Sequence, residues 1–519
     1  MLLGRGVAAE RICVVTFNRD AVAELSARIA SRLAPQVPGA EAIEVRTLHA
    51  LARQVLLDAG RPVRLLPDRL PLLRAARRRA LAELRVTPDG EDPPPEPPDP
   101  ATLDTIVSAW KVEGRTPRPE AAATVDAFAA LMAIRGQIDF DDLVVGAVAA
   151  LEADPQLRSQ WQARFSHLCV DEFQDVDAAQ LRLVRILAAP EDNLFVVGDD
   201  DQTIYAWRLA DVRRILEFPN RYPDARRVIL EVNYRCPPAV VAAADRLIAT
   251  NRERVPKRLH AAVPGPQTHG AVPITTWALR GPDSVDELAA VLPGWAADAG
   301  LAVLARTRAE LRPLILALLR GGIPHATSVP SPLQAEPVDA LLADLASCVP
   351  WVPPLPALLR ARALRGWRRA DLADRMGEEE HAALDALIGW AVGHRRSDGF
   401  LAAFAEARAR LAALRDPEAA IELATVHGAK GREWPTVVVL GMEVDRFPNR
   451  RAVTEASDPV RALEEERRLA YVAVTRCRRN LVLAFDPHRA SPFVAEMMGR
   501  PERGRAATYR PTSGATVTR

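Results

Sequence analysis

Short apolar runs alternate along the chain with longer amphipathic stretches. Residues 11–17 (RICVVTF) are rich in Val and Ile and lack polar alternation, so they read as a buried strand. Asn18 then stands where its side chain can cap a helix, with apolar positions at Ala21, Leu25 and Ile29. Residues 45–57 give a second passage from strand to helix. Residues 167–170 and 193–197 are two more apolar runs, each followed closely by acidic residues. Residues 227–232, 301–305 and 436–440 repeat the buried-strand pattern. Residues 101–150 and most of 330–415 are helical in pattern, the latter broken by a Trp/Pro-rich stretch at 350–356. Seven prolines fall within 87–100, the mark of a loop or semi-rigid spacer, and 501–519 form a polar tail expected to be disordered. Strands alternating with helices over this length predict an α/β fold built on parallel sheets.

Length and composition narrow the function classes. At 519 residues the chain is expected to hold two to four domains. No apolar run of about 18 residues is present, which argues against a membrane span, and the first sixteen residues do not read as a signal peptide. The five cysteines are odd in number and scattered, which excludes a disulfide framework or a CxxC zinc site and fits a reducing cytosol. Net charge is +1, so any nucleic-acid site must be a local groove. Lysine occurs only at Lys111, Lys257 and Lys430, followed by Val, Arg and Gly. A phosphate-binding P-loop needs Gly-Lys followed by Ser or Thr, and none of the three lysines stands in that setting.

Six segments can carry chemistry. In LCVDEFQD (168–175) an apolar strand ends in Asp171 and Glu172, and ligands bind beyond the carboxyl ends of strands in open parallel sheets. One carboxylate there can hold Mg²⁺ and another can orient an attacking water; the plain alternative is an acidic surface loop. VVGDDDQ (196–202) brings a second acidic strand end of the same kind. QTIYAWR (202–208) offers stacking planes and a cation, the chemistry of a single-strand groove, or else two core aromatics beside a surface arginine. NYR (233–235) follows a strand and pairs a stacking ring with a phosphate-binding arginine, or is a chance tripeptide. ATVHGAKGREW (424–434) permits close backbone approach to a ligand or is an ordinary tight turn. In residues 464–485 a charged helix ends at Arg476, Arg478 and Arg479, which can meet phosphate or complement the helix dipole.

Taken in chain order, these segments resemble the superfamily 1 DNA helicases of the UvrD/Rep/PcrA type, over roughly residues 11 to 497 and most weakly in 330–415. The resemblance implies two RecA-like P-loop NTPase domains with parallel sheets, ATP bound between them, and a largely helical subdomain inserted in each. By that resemblance the first domain takes residues 1–75 and 150–215 with insertion 76–149. The second takes 216–330 and 416–492 with insertion 331–415, and 493–519 form a tail. ATP and Mg²⁺ are the implied cofactors, single-stranded and duplex DNA the implied partners, and the bacterial cytosol at the nucleoid, with no membrane, the implied location. VVTFNRDAVAEL (14–25) resembles the first DNA-contact motif, with Phe17 at the strand and Asn18 where Thr is usual. TLH implies DNA contacts from Thr47 and His49. VDEFQD resembles the Walker B motif, with Asp171 as Mg²⁺ ligand and Glu172 as general base. In GDDDQTIYAWR, Gln202 would sense the γ-phosphate and Tyr205, Trp207 and Arg208 would touch single-stranded DNA, while Leu209 replaces the usual Gly. Tyr234 would stack on adenine and Arg235 would meet the γ-phosphate. His427 and Lys430 would lie near DNA, Glu433 near the ribose, and Arg476 would be a second γ-phosphate arginine.

Family spacing places a strand and GxxxxGK[ST] roughly two dozen residues before VVTFN. Val14 is too close to Met1 to leave room for them, and MLLGRGVAAERI resembles the tail of the P-loop helix. The sheet around residues 168–170 is then expected to lack a member, with unpaired backbone groups at about 1–3 kcal/mol each. Either the true start codon lies upstream, or the gene is truncated and its product no longer hydrolyses ATP. The retained Asp171, Glu172, Gln202, Tyr234, Arg235 and Arg476 favour the former. The expected function is an ATP-dependent 3′–5′ DNA helicase or translocase in repair or recombination. The rival is a catalytically inactive DNA-binding or regulatory protein on a truncated helicase scaffold.

Overall fold

Residues 1–84, 96–262, 274–281, 283–297, 300–367 and 378–499 are described by a computed structural model of the chain. The predictions for 87–95 and for the tail at 501–519 lie outside these residues. The backbone falls into two compact units, Met1–Ala225 and Arg226–Arg519. Among the described residues no helix is long and apolar enough to cross a membrane, and the five cysteines are free thiols.

In the first unit the apolar runs become strands β1 (Ile12–Thr16), β2 (Glu44–Thr47), β3 (His167–Val170) and β4 (Leu194–Val196). They form one parallel sheet in the order β2-β1-β3-β4. Asn18 caps α1 (Arg19–Arg28), its Oδ1 accepting from the Ala21 N–H at 2.8 Å. The predicted face of Ala21, Leu25 and Ile29 is only half-buried, because charged residues surround α1 and leave it on the rim. Thr47 caps α2 (Leu48–Asp58), whose Leu51, Ala52, Val55 and Leu56 are buried. Three helices, α3 (Leu70–Leu84), α4 (Pro100–Glu113) and α5 (Pro119–Arg135), surround their own apolar cluster of Leu73, Leu103, Val107, Val125 and Phe128. Three more, α6 (Phe140–Ala153), α7 (Pro155–Arg164) and α8 (Ala178–Ala188), cover the sheet and share its core with α2.

Residues 168–170 have a neighbour on each side, since β3 is bonded to β1 and to β4. The sheet ends at β2 and β4; in β4 Phe195 is 64% exposed, and Val197 just after it is 42% exposed. An apolar run expected inside the sheet therefore stands at its edge.

The second unit holds a two-stranded pair, β5 (Val232–Asn233) with β6 (His260–Ala261), and a six-stranded parallel sheet. The latter comprises β7 (Ile274–Ala278), β8 (Leu301–Ala305), β9 (Ala326–Thr327), β10 (Ile421–Thr425), β11 (Trp434–Leu440) and β12 (Cys477–Phe485), in the order β7-β12-β11-β8-β10-β9. All five residues of β8 are buried, as its apolar run predicts. The run at 227–232 does not behave this way. Val228, Ile229 and Leu230 are exposed, and only Val232 enters a ladder. Its partner is another two-residue strand, so no sheet covers its faces.

Residues 330–415 contain the helices Glu336–Ala346, Pro354–Leu364, Glu378–Ala391 and Ser397–Leu414. The Trp/Pro-rich stretch ends in a helix start, with Pro354 in the first turn where its missing N–H is harmless. Leu341, Leu358, Leu384 and Phe400 share one core with Val303 and Leu423 of the sheet. The helix Pro459–Val474 buries charge as well as apolar side chains. Arg306 donates to Glu466 through Nε and Nη2, and Arg467 donates to Glu496 and Asn251. Buried ions need such pairing, which holds this helix in a single register.

Candidate functional site

In a parallel sheet all carboxyl ends lie at one edge. Phe17 follows β1, Thr47 ends β2, Asp171 and Glu172 follow β3, and Gln202 follows β4. The structure thus brings the predicted residues of the first unit to a single edge. The Asp171 N–H donates to the Val15 carbonyl at 2.8 Å, which ties the turn to β1. Glu172 is left-handed at φ 52, a strained backbone of the kind that persists at functional turns.

A hydrogen-bonded chain runs from Glu172 to Gln202. Gln174 Nε2 donates to Glu172 Oε2 at 2.5 Å, and Gln174 Oε1 accepts from the Asp199 N–H at 3.0 Å. Asp199 Oδ2 accepts from Gln202 Nε2 at 2.7 Å. Gln174 is fully buried and bridges the turns after β3 and β4. Gly198 leaves room for it: a Cβ there would lie 2.4 Å from Gln174 Oε1 and 2.8 Å from Ile215 Cδ1. Asp199, Asp200 and Asp201 bring carboxylate oxygens within 4.8 Å of one another. With Asp171, these are the hard oxygen donors that Mg²⁺ takes. Sequence reasoning missed Gln174, although it stands inside the DEFQD segment itself.

Beside this chain the loop of Tyr205 forms an aromatic platform. Phe17 and Tyr205 are stacked, with centroids 4.9 Å apart and planes at 14°. Trp207 meets Tyr205 edge-on at 6.3 Å and is 45% exposed, and the Arg208 guanidinium lies 4.8 Å from the Trp207 ring centroid. Burial, with the charge of Asp175, pushes the Tyr205 phenol up to about 12, so the ring stays neutral. Leu209 keeps the left-handed backbone, at φ 64, that a glycine would adopt freely.

A second aromatic pair lies at the start of α2. The His49 ring meets Phe140 edge-on at 5.4 Å, and Thr47 Oγ1 accepts from the Ala50 N–H at 3.2 Å. Burial holds the His49 imidazole below the usual histidine range, opposed by the Asp141 charge and helped by Arg208. Phe140 was not foreseen. It is 40% exposed in the first turn of α6, and that turn is pinned by charge. Arg69 Nη1 donates to Asp139 at 3.2 Å and Asp141 at 2.6 Å, while Lys111 Nζ donates to Asp139 and Asp142 at 2.8 Å each. The available signal was an aromatic residue set between the acidic residues of IDFDD.

In the second unit Asn233 Oδ1 accepts from the N–H groups of Arg235 at 2.9 Å and Cys236 at 2.8 Å, a side-chain turn that leaves Tyr234 79% exposed. Tyr234, Arg235, Asn233, Glu433 and Arg478 line a cleft of about 610 Å³. Glu433 receives Nε of Arg235, and Nε of Arg478 at 2.9 Å. Burial opposes the ionisation of Glu433, but the Arg478 hydrogen bond and the Arg235 charge outweigh it and hold the carboxyl below its usual range. Two guanidinium groups on one carboxylate, beside an exposed ring, suit a nucleotide: an anion that carries a base.

The cleft lies at the amino-terminal ends of β11 and β12, which Glu433 precedes and Arg478 enters. His427 follows the carboxyl end of β10, at the opposite edge, and Lys430 lies in the loop that returns from there to Glu433. Arg476 is buried and turned onto its own helix end, its Nε donating to the Val472 carbonyl at 3.0 Å and Nη2 to Thr475 Oγ1 at 3.3 Å. Those contacts are the helix-end arrangement, and the arginines that line the cleft are Arg235 and Arg478.

Residues 1–223 match the family described as UvrD/REP helicase N-terminal domain, and 400–486 match the UvrD-like helicase C-terminal domain. The chain is 30% identical to the ATP-dependent DNA helicase UvrD2 of Mycobacterium tuberculosis, over 93% of this chain and 73% of that protein. It is 28% identical to the ATP-dependent DNA helicase PcrA of Leuconostoc citreum, over 91% of this chain and 75% of that protein. It is 25% identical to the putative ATP-dependent DNA helicase YjcD of Bacillus subtilis, over 93% and 74%.

Proposed function

This chain belongs to the UvrD/Rep/PcrA-like superfamily 1 helicases, and from that premise we propose that it moves 3′ to 5′ along single-stranded DNA and unwinds duplex DNA in repair or recombination. ATP supplies the free energy and Mg²⁺ neutralises phosphate charge. In the first unit Asp171 holds the metal, Glu172 takes the proton of the attacking water and Gln202 senses the γ-phosphate. In the second, Tyr234 stacks on adenine, Glu433 accepts from the ribose, and Arg235 and Arg476 answer the γ-phosphate charge. Phe17, Tyr205 and Trp207 stack bases while Arg208 neutralises the backbone. Thr47, His49 and Phe140 extend that track, and His427 and Lys430 supply the DNA contacts of the second unit. The helical segments 76–149 and 331–415 are the inserted subdomains.

The observation that carries this reading is the chain Glu172–Gln174–Asp199–Gln202. It ends three residues before Tyr205, which is stacked on Phe17. A group that responds to phosphate thus shares one short loop with the base platform, so a change at either is felt at the other.

The test is ATP hydrolysis with and without single-stranded DNA, beside Glu172→Gln, and strand displacement from 3′-tailed and 5′-tailed duplexes. DNA-stimulated turnover that Glu172→Gln abolishes, with unwinding of the 3′-tailed substrate alone, is the expected result. Unwinding of the 5′-tailed substrate refutes the polarity. Single-strand binding with no hydrolysis above the Glu172→Gln background refutes the turnover.

A further inference from the structure

The cleft divides one carboxylate between Arg235 and Arg478, the second of the three arginines at the end of the charged helix segment. Glu433 Oε2 receives Nε of Arg235, and Oε1 receives both Nε and Nη2 of Arg478. The Arg235 side chain is 34% exposed, Glu433 28% and Arg478 56%. Arg235 reaches the Thr475 carbonyl through Nη1 only at the long distance of 3.5 Å.

The argument rests on the proposed roles of Arg235 and Glu433. For Arg235 to meet phosphate it must leave Glu433. A carboxylate whose sole partner was Arg235 would hold that arginine undivided. It would then be stranded, without a cation, in a half-buried cleft once the arginine moved. A second cation on the other oxygen removes both obstacles. It weakens the claim of Glu433 on Arg235, and it keeps the carboxylate oriented after Arg235 has gone.

We propose that Arg478 is a positioning residue for the nucleotide: it anchors Glu433 by Oε1 so that Oε2, released by Arg235, faces the ribose hydroxyls and selects ribonucleotides over dideoxynucleotides. Arg478 acts through Glu433 and touches no reacting group. Its loss therefore falls on nucleotide affinity, on KM and on sugar selectivity rather than on kcat.

The test is calorimetric titration of the full chain with ATP and with 2′,3′-dideoxy-ATP, each with Mg²⁺. The proteins compared are the unchanged chain, Arg478→Ala, Arg478→Lys, Glu433→Gln, and Glu433→Gln combined with Arg478→Ala. Arg478 is half-exposed and anchors no core, so its substitutions are expected to fold. Arg478→Ala weakens ATP by about fivefold, the scale of one partly exposed charge pair, and lowers the preference for ATP over the dideoxy form. Arg478→Lys restores part of both, and Arg478→Ala adds nothing in the Glu433→Gln background. Equal weakening of the two nucleotides makes Arg478 a direct phosphate contact and overturns the proposal, as does additivity with Glu433→Gln. An unchanged chain that binds ATP without sugar preference refutes this inference alone. One that binds neither nucleotide refutes the nucleotide reading of the cleft and this inference with it.

Discussion

Gln174→Leu is the sharpest perturbation of the first unit. Leucine nearly preserves the volume of a fully buried side chain and removes both ends of its amide. The Asp199 N–H loses its acceptor at 3.0 Å, and Glu172 loses its donor at 2.5 Å. Asp199 and Glu172 are half-buried, so the unmet N–H costs about 1 kcal/mol, the low end of the range, and the bond to the carboxylate contributes about 1.5–3 kcal/mol. Together these put the loss at about 2–4 kcal/mol. For a domain of roughly 200 residues each kcal/mol moves Tm by about 2–4 °C, so calorimetry should show a fall of about 4–16 °C in the transition of the first unit. DNA-stimulated ATP turnover should fall as well, since Asp199 no longer holds Gln202 in place. Binding of single-stranded DNA without nucleotide should change less, because the Gln174 amide bonds Glu172 and Asp199. Gly198→Ala should act in the same direction, since its Cβ would displace the same amide oxygen. The double variant should therefore be less than additive. A Gln174→Leu protein with unchanged Tm and turnover would refute the bridging role.

Tyr205→Ala and Trp207→Ala should each weaken single-strand binding by about 1–3 kcal/mol, and Arg208→Ala should lower the salt slope by about 0.7, read by fluorescence anisotropy across a KCl series. An unchanged slope would place Arg208 away from phosphate. His49 is held below its usual value of 6.5 by burial, so the unfolded chain binds its proton more readily. Its contribution is complete above pH 6.5 and is lost as pH falls below it, and His49→Gln should flatten that part of the urea-midpoint profile. Burial pushes the Glu310 carboxyl up to about 7 from a usual 4.5, against the Thr307 N–H and the Arg446 and Arg306 charges. The stabilising share of that shift is present below pH 4.5 and is lost as pH rises through about 7. Glu310→Gln should therefore stabilise the second unit by about 3 kcal/mol at pH 8, with an advantage that vanishes only below its usual 4.5. A difference that stays constant with pH would exclude titration of Glu310 as its source.

The elements that sequence reading found are those whose cause is local. The apolar run of β8 is buried on both faces, and Asn18 and Thr47 cap helices through their own side chains. It failed where a partner decides. Residues 227–232 hold an apolar run like that of β8, between Arg227 and Glu231, yet Val228, Ile229 and Leu230 are exposed because no sheet lies against them. The charged face of the helix Pro459–Val474 has the pattern of a solvated surface, yet Glu466, Arg467 and Arg468 are buried, Glu466 and Arg467 by partners distant in sequence. The candidate site follows the same division. Motif spacing put Phe17, Asp171, Glu172 and Gln202 at one sheet edge, because parallel strands leave no other place for residues that follow them. Gln174, Phe140 and Arg478 stand in or beside segments that the sequence marks, but their partners Asp199, His49 and Glu433 lie in turns distant in sequence that no local pattern pairs with them.

The two units use their sheets differently, and that difference bears on how an ATP-dependent motor of this family is wired. In the first, Glu172 and Gln202 share the carboxyl edge and are joined through hydrogen bonds, and Tyr205, three residues after Gln202, is stacked on Phe17. In the second, Glu433 and Arg478 stand where β11 and β12 begin, while His427 follows the end of β10. The seven residues of β11 make that sheet roughly 23 Å deep at about 3.3 Å per residue. Signals within the first unit can pass through two side chains. Within the second, the loop from His427 to Glu433 is the short path, since it joins the end of β10 to the start of β11 in one stretch of chain. Its Gly431 at φ 84 allows the reversal that a side chain would resist. A loop that carries both the DNA and the nucleotide candidates of its unit can couple them without moving the buried sheet, whose β8 has no exposed residue.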